Sequence, residues 1–353
     1  VDQPIHTHKV TTEDGYILSV NRIAGRKNST PVYLQHGLME SSNDWLFLRE
    51  KSLPCILAKQ GYDVWLGNAR GNTYAKKHKN YTVNSRRFWN FSWQEMGEYD
   101  VPAIINYIRN ETGQDMFYIG YSMGSTMFSV MAIEKPEIAK KVKAAIHLAP
   151  ATYINNMKSR GKLVAFLWPT IWKLSKYSKV YEFLPQSDFF DDFTKLVCHN
   201  PLLNGPVCGG VSIFGFQPKK RIIHEIFSNI PSGTSIKLFV HMLQQASGRP
   251  FHKFDYGYLG NQFKYTSSQP PRYDISKIKV PVAVYWSEND NFVGEEDAHR
   301  FYNETSNKLG IYKINDTQFN HIDFLRATDA DNWVYGHVLQ KLSEINKKFN
   351  DKL

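Results

Sequence analysis

Gly120-Tyr121-Ser122-Met123-Gly124 is the stretch of this chain best suited to chemistry. It fits Gly-x-Ser-x-Gly, and its setting gives the pattern mechanical meaning. Met116 to Ile119 is a short apolar run that reads as a buried strand, and Ser125 to Glu134 reads as a helix ending near Pro136. Between a strand and a helix, a serine is pushed up on a tight elbow with its hydroxyl exposed. The flanking glycines are needed because a side chain at either place would collide with a neighbouring element. The ordinary alternative for such a string is a glycine-rich loop. The downstream residues favour a nucleophile.

A serine needs a base, and the base needs an orienting carboxylate. On a strand-elbow-helix scaffold these follow in the order acid, then histidine. The apolar run Val280 to Trp286 leads into Ser287-Glu288-Asn289-Asp290-Asn291, a polar turn at a strand end. Asp290 is the expected acid and Glu288 its nearest rival. The strand Gly310 to Ile314 is followed by Gln318-Phe319-Asn320-His321. His321 stands where the base belongs. His36 and His147 sit beside strands, but both lie too early in the chain for the required order. An oxyanion needs two backbone donors. One is the amide of Met123, after the serine. The strand Pro31 to Gln35 ends in His36-Gly37-Leu38, which places the second at the amide of Leu38.

Three strings then resemble a known family. Thr11 to Leu18 (TTEDGYIL), Leu34 to Leu38 (LQHGL) and Gly61 to Thr73 (GYDVWLGNARGNT) look like the animal acid lipases, the group that includes gastric and lysosomal acid lipases. The likeness continues through Asn320 to Phe324 to the last helix and covers essentially the whole chain. It implies an α/β-hydrolase fold, with Ser122, Asp290 and His321 as triad and oxyanion amides from Leu38 and Met123. The departures are modest. Tyr121 and Met123 stand where mammalian members usually have His and Gln, and Ala69 replaces a more usual Ser.

The elements that must position these residues follow from pattern. A hairpin of Thr7 to Thr11 and Tyr16 to Arg22 turns at Asp14-Gly15. Strands follow at Val32, Val64, Phe117 and Ala144, with helical stretches near Ser52 to Gln60 and Tyr99 to Glu111. This rhythm predicts a mostly parallel central sheet with helices on both faces. From about 151 to 270 strand signals fade and aromatic-rich helical pieces take over. From about 271 two strands and a helix, Asn332 to Phe349, complete the sheet. The organisation expected is a hydrolase core of 1–150 and 271–353, with a helical cap or lid inserted at 151–270.

Residues 151–270 contain 14 Lys/Arg and 6 Asp/Glu, so they carry +8 of the chain's net +10. Phe166-Leu167-Trp168-Pro169 and Ile171-Trp172 form an apolar patch beside Lys158, Arg160, Lys162 and Lys173. Such a cationic, tryptophan-bearing piece suits a lipid–water interface. The bland reading is that the aromatics pack onto the core and the lysines are a solvated face. No nucleic-acid-binding motif accompanies the positive charge, so no nucleic-acid partner is expected. No apolar run of about twenty residues occurs that would span a membrane.

Six Asn-x-Ser/Thr sequons, at Asn28, Asn80, Asn90, Asn110, Asn303 and Asn315, favour a secreted or lysosomal glycoprotein. The chain begins at Val1 without a leader and reads as a mature form. Of three cysteines, Cys198 and Cys208 bracket a turn-rich loop and are expected to pair, which the resemblance also implies. Cys55 lies in an apolar helical run and is expected to be a buried free thiol. No residue spacing suggests a zinc site, and no metal or other cofactor is expected.

The expected activity is therefore serine hydrolysis of neutral-lipid esters, triacylglycerols first, through an acyl-enzyme. A sterol-ester or other lipid-ester hydrolase is the alternative among enzymes. The alternative outside enzymes is a non-catalytic lipid-binding protein on the same fold.

Overall fold

The computed structural model describes residues 4–158, 161–185 and 230–350. Cys198 and Cys208 lie outside them. The strands are β1 (Ile5–Thr11), β2 (Tyr16–Ile23), β3 (Pro31–Gln35), β4 (Asp63–Gly67), β5 (Lys77–His78), β6 (Met116–Tyr121), β7 (Val142–Leu148), β8 (Glu182–Phe183), β9 (Thr234–Ser235), β10 (Val282–Trp286) and β11 (Lys308–Lys313). The main sheet runs β1-β2-β4-β3-β6-β7-β10-β11, with β5 added on β2. From β4 to β11 all neighbours are parallel; β2 is antiparallel to both β1 and β4.

Strands β3, β4, β6 and β10 are buried along their whole length, because helices cover both faces of the sheet. Alternate residues serve opposite cores. Tyr33, Trp65, Tyr118 and Val284 pack on one face. Val32, Leu34, Phe117, Ile119 and Tyr285 pack on the other. The principal helices are α1 (Leu53–Lys59), α2 (Val101–Thr112), α3 (Met123–Glu134), α4 (Gly161–Ala165), α5 (Trp168–Ser175), α6 (Ile236–Ala246), α7 (Tyr258–Tyr265), α8 (Glu295–Glu304), α9 (Asp323–Arg326) and α10 (Gly336–Asn350). Proline in the first turn starts α1 and α2, where its missing N–H costs nothing, and Gly113 at φ 69° ends α2.

The described residues between β7 and β10 form α4 to α7 and the antiparallel ribbon of β8 with β9. Cys55 is a buried free thiol that accepts a hydrogen bond from Ser52 Oγ at 3.1 Å. Trp168 and Trp172 turn inward. Trp168 is buried, with the Arg249 guanidinium 4.9 Å from its ring centre, and Trp172 packs on Phe254 at 4.8 Å. Their apolar neighbours Leu163, Phe166, Leu167 and Leu174 are left in solvent.

The signature string Gly61 to Thr73 has a mechanical role. The Arg70 guanidinium is buried and bonds both oxygens of Asp14 at 2.6 and 2.8 Å and Asp100 at 2.7 Å. It thereby pins the β1–β2 turn to the start of α2. Its partners also supply the hydrogen bonds that a buried cation requires.

Candidate active site

Ser122 sits between the end of β6 and the start of α3 with φ 52° and ψ −119°. A residue with a side chain takes such a conformation only when its surroundings enforce it. Here its N–H donates to Leu148 O at 2.9 Å, and its carbonyl accepts from Ser125 and Ala151 at 3.0 and 3.2 Å. A Cβ on Gly124 would lie 2.4 Å from the Gln35 carbonyl oxygen, and one on Gly120 2.9 Å from the backbone of Gly124. Both glycines are required by this close approach.

The chain brings Asp290, His321 and Ser122 together from three distant segments. His321 Nδ1 is 2.8 Å from Asp290 Oδ2, and its Nε2 is 2.9 Å from Ser122 Oγ. The carboxylate fixes the proton on Nδ1, so Nε2 is free to accept the serine proton. Asp290 Oδ1 accepts the N–H groups of Phe292 and Val293, both at 2.8 Å, which holds the carboxylate in place. Glu288 takes no part. It is exposed and paired with Lys313 at 2.6 Å, which holds its carboxyl below the usual range. His147 is buried on β7 against Phe128 and Phe301 and makes no hydrogen bond to Ser122, and burial pushes its pKa down to about 3.

His36 is also no base for Ser122, but it shapes the site. Its Nε2 accepts from Ala69 N at 3.1 Å, so Nδ1 carries the proton and donates to Gly37 O at 2.8 Å. Burial lowers its pKa to about 4. A trans peptide directs its C=O and N–H oppositely, so holding Gly37 O fixes the direction of the Leu38 N–H. Glu40 Oε2 accepts the Gly37 N–H at 2.9 Å, and Asn72 Nδ2 donates to Glu40 O at 3.3 Å. Met123 opens α3, so its N–H has no acceptor within the helix and lies at the positive end of the helix dipole.

These groups border a small apolar pocket lined by Leu38, Met39, Tyr121, Phe239, Met242 and Phe292 around Ser122 and His321. Phe239 and Met242 come from α6, in the segment between β7 and β10. Ser122 is only 4% exposed beneath them. The sequence pattern alone did not single out Glu40, Asp44, Arg326 or the hydroxyl of Tyr121. An arginine in the apolar run Phe324-Leu325-Arg326-Ala327 was the one signal that a buried counter-charge must exist.

The six sequon asparagines, Asn28, Asn80, Asn90, Asn110, Asn303 and Asn315, are all exposed. No described helix is long and apolar enough to cross a membrane.

Known proteins place this geometry in context. A family model for the alpha/beta hydrolase fold matches residues 30–176, and one for a partial alpha/beta-hydrolase lipase region matches residues 1–48. The chain is 37% identical to gastric triacylglycerol lipase of Rattus norvegicus over 97% of its length and 89% of the relative's. It is 34% identical to lysosomal acid lipase/cholesteryl ester hydrolase of Homo sapiens over 95% of its length and 87% of the relative's. Among solved structures, a soluble variant of monoglyceride lipase from Saccharomyces cerevisiae superposes with a TM-score of 0.60, at 14% identity and 97% coverage of each chain. The chain belongs to the acid lipase family of α/β-hydrolases, together with the gastric and lysosomal acid lipases.

Proposed function

We propose that this protein is a serine lipase that hydrolyses the ester bonds of neutral lipids, with triacylglycerols as the first substrate class. The observation that carries the reading is the Ser122–His321–Asp290 hydrogen-bond chain at the floor of an apolar pocket. Ser122 Oγ attacks the ester carbonyl carbon as its proton passes to His321 Nε2. Asp290 stabilises the imidazolium that results. The carbonyl oxygen becomes an oxyanion, held by the N–H groups of Leu38 and Met123. As the tetrahedral intermediate collapses, the C–O bond to the alcohol breaks and His321 returns its proton to the leaving oxygen. Water, deprotonated by the same histidine, then attacks the acyl-Ser122 ester and releases the fatty acid.

The segment 151–270 acts as a cap over this site. Phe239 and Met242 roof the serine, so a long acyl chain reaches it only after part of the cap moves. The gastric and lysosomal relatives support a secreted or lysosomal destination, and the exposed sequon asparagines suit glycosylation. Pairing of Cys198 with Cys208 remains part of this proposal.

A hydrolysis panel of triacylglycerols, cholesteryl esters, phospholipids and short p-nitrophenyl esters tests the reading. Turnover of emulsified triacylglycerol supports it. Preference for cholesteryl esters would move the protein toward the second activity named for its lysosomal relative. No turnover, with no labelling of Ser122 by a fluorophosphonate, would leave a lipid-binding protein.

A further inference from the structure

Behind the serine lies a group of charges in a place where charge is expensive. Glu40, Asp44 and Arg326 are all buried. Arg326 Nη1 is 3.3 Å from Glu40 Oε1, and its Nη2 is 2.5 Å from Asp44 Oδ1. Asp44 Oδ2 in turn accepts the Ser41 N–H at 2.7 Å. Two carboxylates share one guanidinium. Burial and the neighbouring Asp44 push the Glu40 pKa up to about 7. Compared with apolar side chains of the same volume, such a cluster adds little net stability, because desolvation offsets the attraction. Its effect is to be sought in geometry.

The cluster joins two pieces of the site. Arg326 closes α9, five residues after His321, and its own N–H donates to Ile322 O at 3.1 Å. Glu40 lies on the loop that carries Leu38, and its second oxygen holds the Gly37 N–H at 2.9 Å. A Cβ at Gly37 would stand 2.9 Å from Glu40 Oε2 and 3.1 Å from Ser122 Cβ, so loop, carboxylate and elbow are in contact. Both Glu40 oxygens are engaged, which leaves none for proton transfer from substrate.

We propose that Glu40, clamped by Arg326, is a positioning residue for ester hydrolysis: by holding the N–H of the His36–Gly37 peptide it fixes the backbone at Gly37, so that the next peptide presents the Leu38 N–H to the oxyanion, and it locks that loop to the segment carrying His321. His36 holds the carbonyl of the Gly37–Leu38 peptide, and Glu40 holds the N–H of the peptide before it, so the backbone is held on both sides of the Gly37 Cα. The groups that face the Glu40 carboxyl are Asp44, Arg326, His321 and Tyr121. This inference rests on Ser122 acting as an ester-hydrolysing nucleophile.

The test compares Glu40→Ala and Glu40→Gln with wild type on a soluble short p-nitrophenyl ester, which avoids any dependence on cap or interface. Hydrogen exchange of the peptide spanning residues 34–41 is read in the same samples. Glu40→Ala lowers kcat about 10–100-fold with KM nearly unchanged, because a displaced donor weakens only the transition state. It also speeds exchange at Gly37. Glu40→Gln keeps an oxygen for the Gly37 N–H and restores most of kcat and of the protection. Glu40→Ala retaining kcat within about twofold overturns the proposal. So does equal loss in both variants, or unchanged exchange at Gly37. Should Glu40→Ala fail to fold, Glu40→Gln decides alone: loss of kcat with wild-type protection at Gly37 overturns it. A wild-type protein inert to esters and to a fluorophosphonate would sink the esterase reading. The exchange data would still decide whether Glu40 fixes the loop.

Discussion

The hydroxyl of Tyr121 donates a 2.9 Å hydrogen bond to the backbone carbonyl of His321, across 200 residues of chain. Tyr121 immediately precedes the serine, and its ring lies 5.2 Å from the imidazole. One side chain therefore sets the distance between the elbow and the loop bearing the base. Tyr121→Phe keeps the ring and leaves a buried carbonyl without its partner. The expected cost is about 1–3 kcal/mol of stability, with a fall in kcat larger than any change in KM. Melting temperature and steady-state kinetics on a soluble ester check it. Unchanged kcat would mean that packing alone sets the distance.

The proposed acid, Asp290, is testable against its rival. Asp290→Asn is expected to lower turnover by about 10⁴-fold, since the imidazole loses the partner that fixes its tautomer. Glu288→Gln stays near wild type, because Glu288 is an exposed partner of Lys313. The opposite pattern would move the acid to Glu288.

How far the site could be read from the chain depends on the length scale of the interaction. Ser122, Asp290 and His321 were legible because they follow the C-terminal ends of β6, β10 and β11, and the C-terminal ends of parallel strands lie along one edge of the sheet. The expected core elements match the observed ones to within a few residues, as β6 and α3 illustrate. The Glu40–Arg326 contact spans 286 residues and has no periodicity to announce it. The same holds for Trp168. Its amphipathic surroundings are visible in the chain, but which side of α5 meets Arg249 depends on how α5 packs.

Stability should respond to pH through groups outside the triad. Burial lowers the pKa of His36 to about 4 and of His147 to about 3. The folded state keeps both neutral, while the unfolded chain takes up protons below about 6.5. Their contribution is therefore intact above that pH and is lost as pH falls toward their folded values. Glu40, raised to about 7, acts in the opposite sense. The folded state then holds a proton that the unfolded chain releases, so stability rises as pH falls through the window from about 7 to 4.5. His147→Leu should flatten the acid loss in thermal melts, and Glu40→Gln should gain most relative to wild type at neutral pH. A His147→Leu curve parallel to wild type would show that this histidine is not what titrates.

Arg326→Met should be much more damaging than either Glu40 substitution. It leaves Glu40 and Asp44 buried without their cation, and breaking a buried pair this way costs about 3–5 kcal/mol. Denaturant unfolding at neutral pH measures it. Adding Asp44→Asn and Glu40→Gln to Arg326→Met should recover part of the loss, because no uncompensated charge then remains. No recovery would show that the guanidinium acts through packing against Phe47, 5.5 Å away.

Action at a lipid surface makes the final prediction, and the structure changes which residues should carry it. Trp168 and Trp172 are engaged in packing with Arg249 and Phe254, whereas Leu163, Phe166, Leu167 and Leu174 are 55–73% exposed on and beside α4 and α5. Exposed apolar groups this close together are costly in water and gain stability on entering a lipid–water boundary. Binding there also favours any cap arrangement that exposes more apolar surface, which uncovers Ser122. Phe166→Ser with Leu167→Ser is therefore expected to depress activity on emulsified triacylglycerol while leaving soluble short esters nearly untouched. Trp168→Ala should lower both, together with the melting temperature, because it removes packing beneath Arg249. The net +8 of residues 151–270 adds attraction to surfaces bearing fatty acids or anionic lipids, and salt should weaken that part by screening. Activity on emulsions and on soluble ester, each with and without added salt, separates these effects. Equal losses on both substrates in the Phe166/Leu167 variant would assign these side chains to the fold, and hyperbolic kinetics through the solubility limit would favour an esterase that needs no interface.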